Sequence, residues 1–179
     1  MAMRPRRSDR PRVGISACLL GDKVRYDGSD KRDAYLVEVL GQHVEWVRVC
    51  PEVEVGMGTP RETLYLVRDD RRVRMKTTVT ALDYTDAMED WGKRRVEELA
   101  HEDLSGYVLK KNSPSCGLEQ VPIHEPNGQR AGEGRGVFAE VLIRQFPDLP
   151  IEDEGRLARP DVREAFIERV FEYWRNRDG

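Results

Sequence analysis

Each of the three cysteines in this 179-residue chain follows a short apolar segment that predicts a β-strand. The segments span residues 13–17, 46–49 and 106–109, and the cysteines that follow them are Cys18, Cys50 and Cys116. Between the first two, residues 34–40 have the apolar spacing of a short helix that ends at Gly41. Strand, helix, strand is the unit from which parallel sheets are built. Because ligands of such sheets bind at the carboxyl ends of the strands, the pattern predicts that the three thiols share one edge of a sheet.

The remaining segments complete the predicted fold. Thr85 is the predicted N-cap of one helix, a second helix stops before Pro147, and a third begins at Pro160. Residues 64–67 are predicted to be extended, and residues 121–134, rich in Pro and Gly, to be a loop. The sequence therefore predicts a single three-layer α/β domain, with a short, mainly parallel sheet flanked by helices.

Composition limits the classes of protein to consider. The chain is 39% hydrophobic and 35% charged, and its net charge of −3 gives no electrostatic footprint for nucleic acid. No apolar run approaches the roughly 20 residues that a membrane helix needs. Residues 1–12 contain five arginines and are predicted to be a disordered tail, with the folded domain over residues 13–179. An odd number of cysteines without close pairing argues against a secreted disulfide framework and fits a reducing cytoplasm.

Cys116 lies in a loop, residues 110–117, with the sequence Lys-Lys-Asn-Ser-Pro-Ser-Cys-Gly. Pro114 and Gly117 interrupt regular structure on either side of the cysteine, and two serines place hydroxyl groups beside it. Structurally inert cysteines are usually buried in the core. We therefore interpret Cys116 as a thiol that is presented to a ligand.

Cys18 and Cys50 allow two interpretations. Taken singly, each is an ordinary buried cysteine. Taken with Cys116, all three belong to one site, which is the interpretation we favour. Zinc accepts three cysteines and a fourth ligand, although structural zinc sites usually use closely spaced cysteine pairs. Soft thiolates also select iron–sulfur clusters, and a cubane cluster with three cysteine ligands has one iron open to a substrate atom.

The loop after Cys50 is rich in acidic residues. Glu52 and Glu54 flank Val53, and a carboxylate a few residues from a metal site is a candidate general base for activating water. The alternative is that both glutamates are simply exposed loop residues. The glycine-rich residues 132–136 miss the spacing of a phosphate-binding loop and are predicted to be a flexible helix entry.

Together these segments resemble the DUF523 family, whose characterised members are thiouracil desulfurases. The matching segments are VGISACLLG (13–21), VRYDG (24–28), CPEVEVG (50–56), PR (60–61), KNSPSCG (111–117) and LPIEDEGRL (149–157). The resemblance extends over about residues 13–175. In many relatives a second domain, DUF1722, follows this one, and we expect the present chain to correspond to the first module alone.

The resemblance implies a [4Fe–4S] cluster whose fourth iron is open to substrate. Its implied ligands are Cys18, Cys50 and Cys116. In the desulfurases the thiocarbonyl sulfur of 2-thiouracil binds that iron, water attacks the carbon, and sulfide leaves without net redox change. We place the general acid–base role on Glu54, with Glu52 as the second choice, and expect Ser113 to orient the thiobase by hydrogen bonding.

The resulting expectation is a cytoplasmic enzyme that removes sulfur as sulfide from a thiolated nucleobase similar to 2-thiouracil, by non-redox hydrolysis. Its expected partner is a small-molecule thiobase and neither a nucleic acid polymer nor a membrane. A homodimer and a separate DUF1722-like partner both stay open. The alternative hypothesis is a structural or sensor module that binds a metal or cluster and acts with a separate partner domain.

Overall fold

Two four-stranded sheets and five α-helices form the part of the chain that the computed structural model describes, residues 8–177. The strands are β1 (Arg12–Ser16), β2 (Glu45–Val49), β3 (Leu64–Asp69), β4 (Arg72–Thr77), β5 (Leu104–Leu109), β6 (Val121–His124), β7 (Arg130–Gly134) and β8 (Ile151–Asp153). The helices are α1 (Ala34–Glu38), α2 (Pro51–Glu54), α3 (Thr85–Ala100), α4 (Val137–Gln145) and α5 (Pro160–Asn176). None of the helices in these residues has the length and apolar character needed to span a membrane.

The first sheet has the strand order β2-β1-β5-β8, and all of its neighbouring strands are parallel. In its centre, Ile15 of β1 pairs with Arg48 of β2 on one side and Val108 of β5 on the other. Parallel pairing places the carboxyl ends of these strands at the same edge. The predicted α/β fold with a parallel sheet flanked by helices is therefore confirmed.

The two central strands, β1 and β5, are tightly packed in the interior of the protein. All six residues of β5 are buried, which is typical of a parallel strand covered on both faces. Gly14 of β1 is required at its position, because a Cβ atom there would lie 2.2 Å from the Tyr107 ring. The buried Tyr107 ring thus packs directly over the β1 backbone and closes the core beneath the edge that carries the cysteines.

The second sheet differs from the sequence-based prediction. Its strand order is β4-β3-β6-β7, and it joins two antiparallel hairpins through a parallel β3–β6 pair. The prediction of a loop over residues 121–134 is wrong, because these residues form the β6–β7 hairpin. Only Val121 and Ile123 supply an apolar alternation in β6, and both are buried against the second sheet's core. Two residues are too few to stand out among the surrounding Pro and Gly.

Two hydrophobic cores lie on opposite faces of the first sheet. One core contains residues of the second sheet together with α3 and α4, including Met88, Trp91, Leu99, Phe138 and Leu142. The other core contains residues of α1 and α5, including Leu36, Phe166 and Val170. The apolar faces of these helices therefore pack toward the first sheet.

Two of the four predicted helix boundaries agree with the structure. Helix α1 ends at Glu38, before the predicted end at Gly41, and a 3-10 turn over Leu40–Gln42 follows it. Helix α4 ends at Gln145, before Pro147, and α5 begins at Pro160. Thr85 is the first residue of α3 and not its N-cap, which is Tyr84. The Thr85 hydroxyl instead accepts a hydrogen bond from the Met75 amide at 2.8 Å, so it ties the helix to β4.

The predicted tail over residues 1–12 is described only in part. Residues 1–7 lie outside the described residues, and Arg12 is the first residue of β1. The Arg12 side chain forms an ion pair with Glu102 at 2.6 Å. This end of the segment is therefore attached to the folded domain.

Candidate functional site

A cleft of about 350 Å³ opens at the carboxyl edge of the first sheet. Cys18, Cys50 and Cys116 all line it, and all three carry free thiols. Glu52 and Ser113 line the same cleft. The structure thus brings together the cysteines and two of the candidate polar residues, although they come from three distant parts of the chain.

Cys18 is held by a tight turn after β1. Its carbonyl oxygen accepts hydrogen bonds from the Gly21 amide at 3.2 Å and the Lys31 amide at 3.0 Å. Gly21 adopts φ = 96°, a left-handed conformation that favours glycine. This turn fixes the Cys18 backbone at the cleft. The residue as a whole is 9% exposed.

Cys50 is the N-cap of α2, a one-turn helix that replaces the loop predicted after β2. The Cys50 amide donates to Glu54 Oε2 at 2.7 Å, and the Glu54 amide donates back to the Cys50 carbonyl at 2.9 Å. Glu54 Oε1 also accepts a hydrogen bond from Arg95 Nε of α3 at 3.0 Å. Glu54 is not among the described residues that line the cleft. Its carboxylate instead fastens the Cys50 backbone to α3.

Two carboxylates of the described residues line the cleft, and one of them, Glu62, accepts hydrogen bonds from the Val79 and Thr80 amides. The other is Glu52. Its Oε2 atom accepts a hydrogen bond from Arg61 Nε at 3.0 Å and is also contacted by an Nη atom of Arg61. Its Oε1 atom accepts a hydrogen bond from the Ser115 hydroxyl at 3.2 Å. Arg61 and Ser115 thus hold the carboxylate in one orientation. The Glu52 side chain is 19% exposed, which leaves part of it accessible from the cleft.

The Cys116 loop is closed by the Ser113 side chain. Ser113 Oγ accepts hydrogen bonds from the amides of Cys116 at 3.0 Å and Ser115 at 3.3 Å. Gly117 completes the turn, because its amide donates to the Ser113 carbonyl at 2.7 Å and a Cβ atom there would lie 2.1 Å from Val121. Ser113 and Gly117 therefore shape the turn that holds Cys116, and the cysteine is buried although it lies in a loop.

The same loop rests on the N-terminus of α4. The amides of Gly136, Val137 and Ala139 donate to the carbonyl oxygens of Gly117, Pro114 and Ser115, at 2.8, 2.9 and 3.1 Å. The first amides of a helix lack partners within the helix. Here the loop supplies those partners, so α4 and the Cys116 loop position each other.

The segment after β8 holds both ends of the Cys116 loop. Glu154 pairs with Lys110 Nζ at 2.7 Å and accepts a hydrogen bond from the Lys111 amide at 2.8 Å. At the other end, Arg156 Nη1 donates to Glu119 at 2.9 Å. The family-like segment 149–157 thus lies next to the Cys116 loop, and its charged residues restrain that loop.

Burial keeps the three thiols protonated when no metal is bound. It raises the pKa of Cys18 to about 11, an effect that the nearby Lys110 ammonium partly opposes. Burial also raises the pKa of Cys116, and the Glu52 carboxylate raises it further. Burial raises the pKa of Cys50 as well, although a hydrogen bond from the Val53 backbone amide partly opposes this effect. Because thiolates and not thiols ligate metals, loading of this site must release protons.

Three thiols around one cleft are a donor set that fits an iron–sulfur cluster. Within residues 8–177, no three His, Cys, Asp or Glu side chains lie close enough to enclose one ion. A zinc ion needs four ligands, with its sulfurs about 2.3 Å away. The thiols instead stand around a cleft, and soft thiolates in such an arrangement suit an iron–sulfur cluster.

Several residues of the cleft were assigned no individual role from the sequence. Tyr26, Lys110 and Ser115 line it beside the cysteines. Each lies within a few residues of a segment that already carried a signal: Tyr26 in the 24–28 segment, and the other two beside Cys116. Their proximity along the chain was visible, but the direction of their side chains was not.

Comparison with known proteins gives three related matches. A family model described as 2-thiouracil desulfurase matches residues 13–154. The uncharacterized protein YbbK of Bacillus subtilis (strain 168) is 29% identical over 136 residues, which cover 72% of this chain and 87% of that protein. A solved structure of a [4Fe–4S]-dependent thiouracil desulfidase, TudS, is similar with a TM-score of 0.64 and 29% identity, and the match covers 89% of this chain and 99% of that one.

Proposed function

Because this chain belongs to the 2-thiouracil desulfurase family, we propose that its cysteine-lined cleft removes sulfur as sulfide from a thiolated pyrimidine base. The observation that carries the proposal is the placement of three free thiols and the Glu52 carboxylate around a single cleft. The overall reaction replaces C=S by C=O, consumes one water and releases hydrogen sulfide, with no net oxidation or reduction.

We propose that Cys18, Cys50 and Cys116 hold a [4Fe–4S] cluster. When bound, the cluster supplies an iron without a protein thiolate, a soft Lewis acid for the thiocarbonyl sulfur. The protein's own part is to fix three thiolates at the sheet edge. It does so through the β1 turn, the α2 N-cap and the Ser113 turn.

Glu52 is our preferred acid–base residue, ahead of Glu54. Its carboxylate lines the cleft, whereas the Glu54 oxygens are engaged by the Cys50 amide and Arg95. A general base must reach the proton that it removes. Glu52 meets this requirement from the cleft wall, where it would take a proton from the attacking water and return one to the product.

Ser113 acts in this proposal through a chain of hydroxyl groups. The Ser115 hydroxyl has one hydrogen and two acceptors, Glu52 Oε1 at 3.2 Å and Cys116 Sγ at 3.8 Å, of which the carboxylate oxygen is the closer. The Ser113 hydroxyl, 2.9 Å from Ser115 Oγ, is then the donor in the Ser113–Ser115 pair. With this arrangement Ser113 orients the thiobase indirectly, by aligning Ser115 and Glu52. For Ser113 to donate directly to the thiobase, this series of hydroxyl hydrogen bonds must rearrange.

The proposal is tested by anaerobic assay of reconstituted protein with 2-thiouracil. We expect uracil and sulfide to form in equal amounts, and we expect the Cys116→Ser variant to form neither. Failure of a fully loaded protein to consume any thiobase would refute the enzymatic proposal and favour a structural or sensor module. The cytoplasmic location, the homodimer and the separate partner domain stay predictions.

A further inference from the structure

Tyr26 stands out among the cleft residues because it presents an aromatic ring. It is the one aromatic side chain among the described residues of the cleft lining. The residue is 40% exposed, whereas large hydrophobic residues of this domain are mostly buried. An exposed ring beside a reactive site is suited to contact a ligand, since exposure of apolar surface to water is otherwise unfavourable.

The Tyr26 ring is presented by an ordered turn. The Arg25 amide donates to the Ser29 carbonyl at 3.1 Å, and the Gly28 amide donates to the Arg25 carbonyl at 2.9 Å. The Tyr26 carbonyl accepts a hydrogen bond from the Arg61 amide at 2.8 Å. The backbone of Tyr26 is thereby linked to the backbone of Arg61, the residue that holds Glu52, so the turn that carries the ring is anchored in the wall of the cleft.

The Arg25 guanidinium covers part of the ring. Its Cζ atom lies 5.4 Å from the ring centroid, within the range of a cation–π contact. Arg25 also donates a hydrogen bond to the Ser29 hydroxyl at 3.3 Å, which restrains the guanidinium. The Arg25 contact limits the ring's motion, and the ring surface that stays exposed borders the cleft.

We propose that Tyr26 is a specificity-determining residue that stacks on the planar ring of the substrate. This inference rests on the proposed function and adds a recognition element to it. Aromatic side chains stack on every nucleobase because every base has a π face. A site with such a platform selects planar heterocyclic thiocarbonyl compounds over saturated or acyclic thioamides that present the same polar atoms.

The test is binding of the product, which is not consumed, to cluster-loaded protein. Equilibrium dialysis with uracil and with 5,6-dihydrouracil compares two ligands that share their polar edge but differ in ring planarity. We expect the wild type to bind uracil about 10-fold or more tightly than dihydrouracil. Tyr26→Leu, which keeps apolar bulk, should bind uracil roughly 10- to 100-fold more weakly and lose the preference. Tyr26→Phe, the matched control, should retain both.

Steady-state kinetics with 2-thiouracil supply a second readout. Loss of a stacking contact present in both ground and transition states should raise KM of Tyr26→Leu with little change in kcat. Equal uracil affinity and equal KM in wild type and Tyr26→Leu would overturn the inference while leaving desulfuration intact. A loaded wild type that binds uracil preferentially but consumes no thiobase would uphold the platform and refute the proposed reaction.

Discussion

Arg61 and Glu52 form an ion pair in the wall of the cleft, with the Arg61 side chain only 4% exposed. Besides its contacts with Glu52, the guanidinium donates from Nη1 to the Gly58 carbonyl at 2.9 Å and to Thr59 Oγ1 at 3.2 Å. Each nitrogen of the guanidinium therefore has an acceptor. A carboxylate held in this way keeps one position while the substrate enters and leaves.

Replacement of Arg61 by Lys should impair turnover more than cluster loading. Lysine keeps the charge but lacks the planar guanidinium that engages Glu52, the Gly58 carbonyl and the Thr59 hydroxyl at once. We expect kcat for sulfide release to fall about 10- to 100-fold with iron content unchanged. Arg68→Lys is the matched control, because Arg68 is 46% exposed and pairs with Glu125 outside the cleft lining. Full activity of Arg61→Lys would show that Glu52 does not need the Arg61 guanidinium to hold its carboxylate in position.

The two neighbouring glutamates should separate catalysis from stability. Glu52→Gln should lower kcat by roughly 100- to 10,000-fold while the cluster is retained, because the amide cannot accept the proton. Glu54→Gln should stay active but lose about 1 kcal/mol of unfolding free energy, since it weakens the charge-assisted bonds to the Cys50 amide and Arg95. Sulfide release and urea unfolding measure the two effects. The opposite assignment, with Glu54→Gln inactive and stable, would restore Glu54 as the base.

Ser113→Ala should loosen the turn that presents Cys116. The substitution removes the acceptor of the Cys116 and Ser115 amides, which we expect to cost about 1–3 kcal/mol of unfolding free energy. The cluster should then lose iron faster to a chelator. Ser113→Thr retains the hydroxyl and serves as the control. Equal iron-loss rates in Ser113→Ala and wild type would argue that the turn is held by its backbone alone.

Glu154→Gln should destabilise the other end of the same loop. Lys110 and Glu154 are 19% and 11% exposed, so removal of the carboxylate leaves a poorly solvated ammonium group. Allowing for this partial solvation, we expect a loss of about 1–2 kcal/mol in urea unfolding. The control is Arg144→Gln, which removes a pair on the surface where Arg144 is 78% exposed and should change stability by less than about 0.5 kcal/mol. Similar losses in both variants would mean that Glu154 has no special structural role.

The sequence predicted the parallel sheet and the common edge of the cysteines because both depend on local patterns. Short apolar runs that end at Cys18 and Cys50 determine where β1 and β2 stop. Parallel pairing then places those ends together. The β6–β7 hairpin was missed because it depends on pairing with β3 and on contacts distant in sequence.

The choice between Glu52 and Glu54 could not be made from the sequence. Residues 51–54 were predicted as loop but form one helical turn. Two residues along a helix differ by about 200° in direction, so one carboxylate faces the cleft while the other faces α3. The deciding partners, Arg61 and Arg95, lie 9 and 41 residues from the glutamates that they bind.

We expect Cys18, Cys50 and Cys116 to hold one iron–sulfur cluster. The most direct test is the iron and acid-labile sulfide content of anaerobically reconstituted protein, measured for the wild type and for Cys18→Ser, Cys50→Ser and Cys116→Ser. The wild type should contain about four irons and about four sulfides per chain, and each variant should lose the intact cluster. Zinc in place of iron, or a full cluster that survives any one of these substitutions, would contradict this expectation.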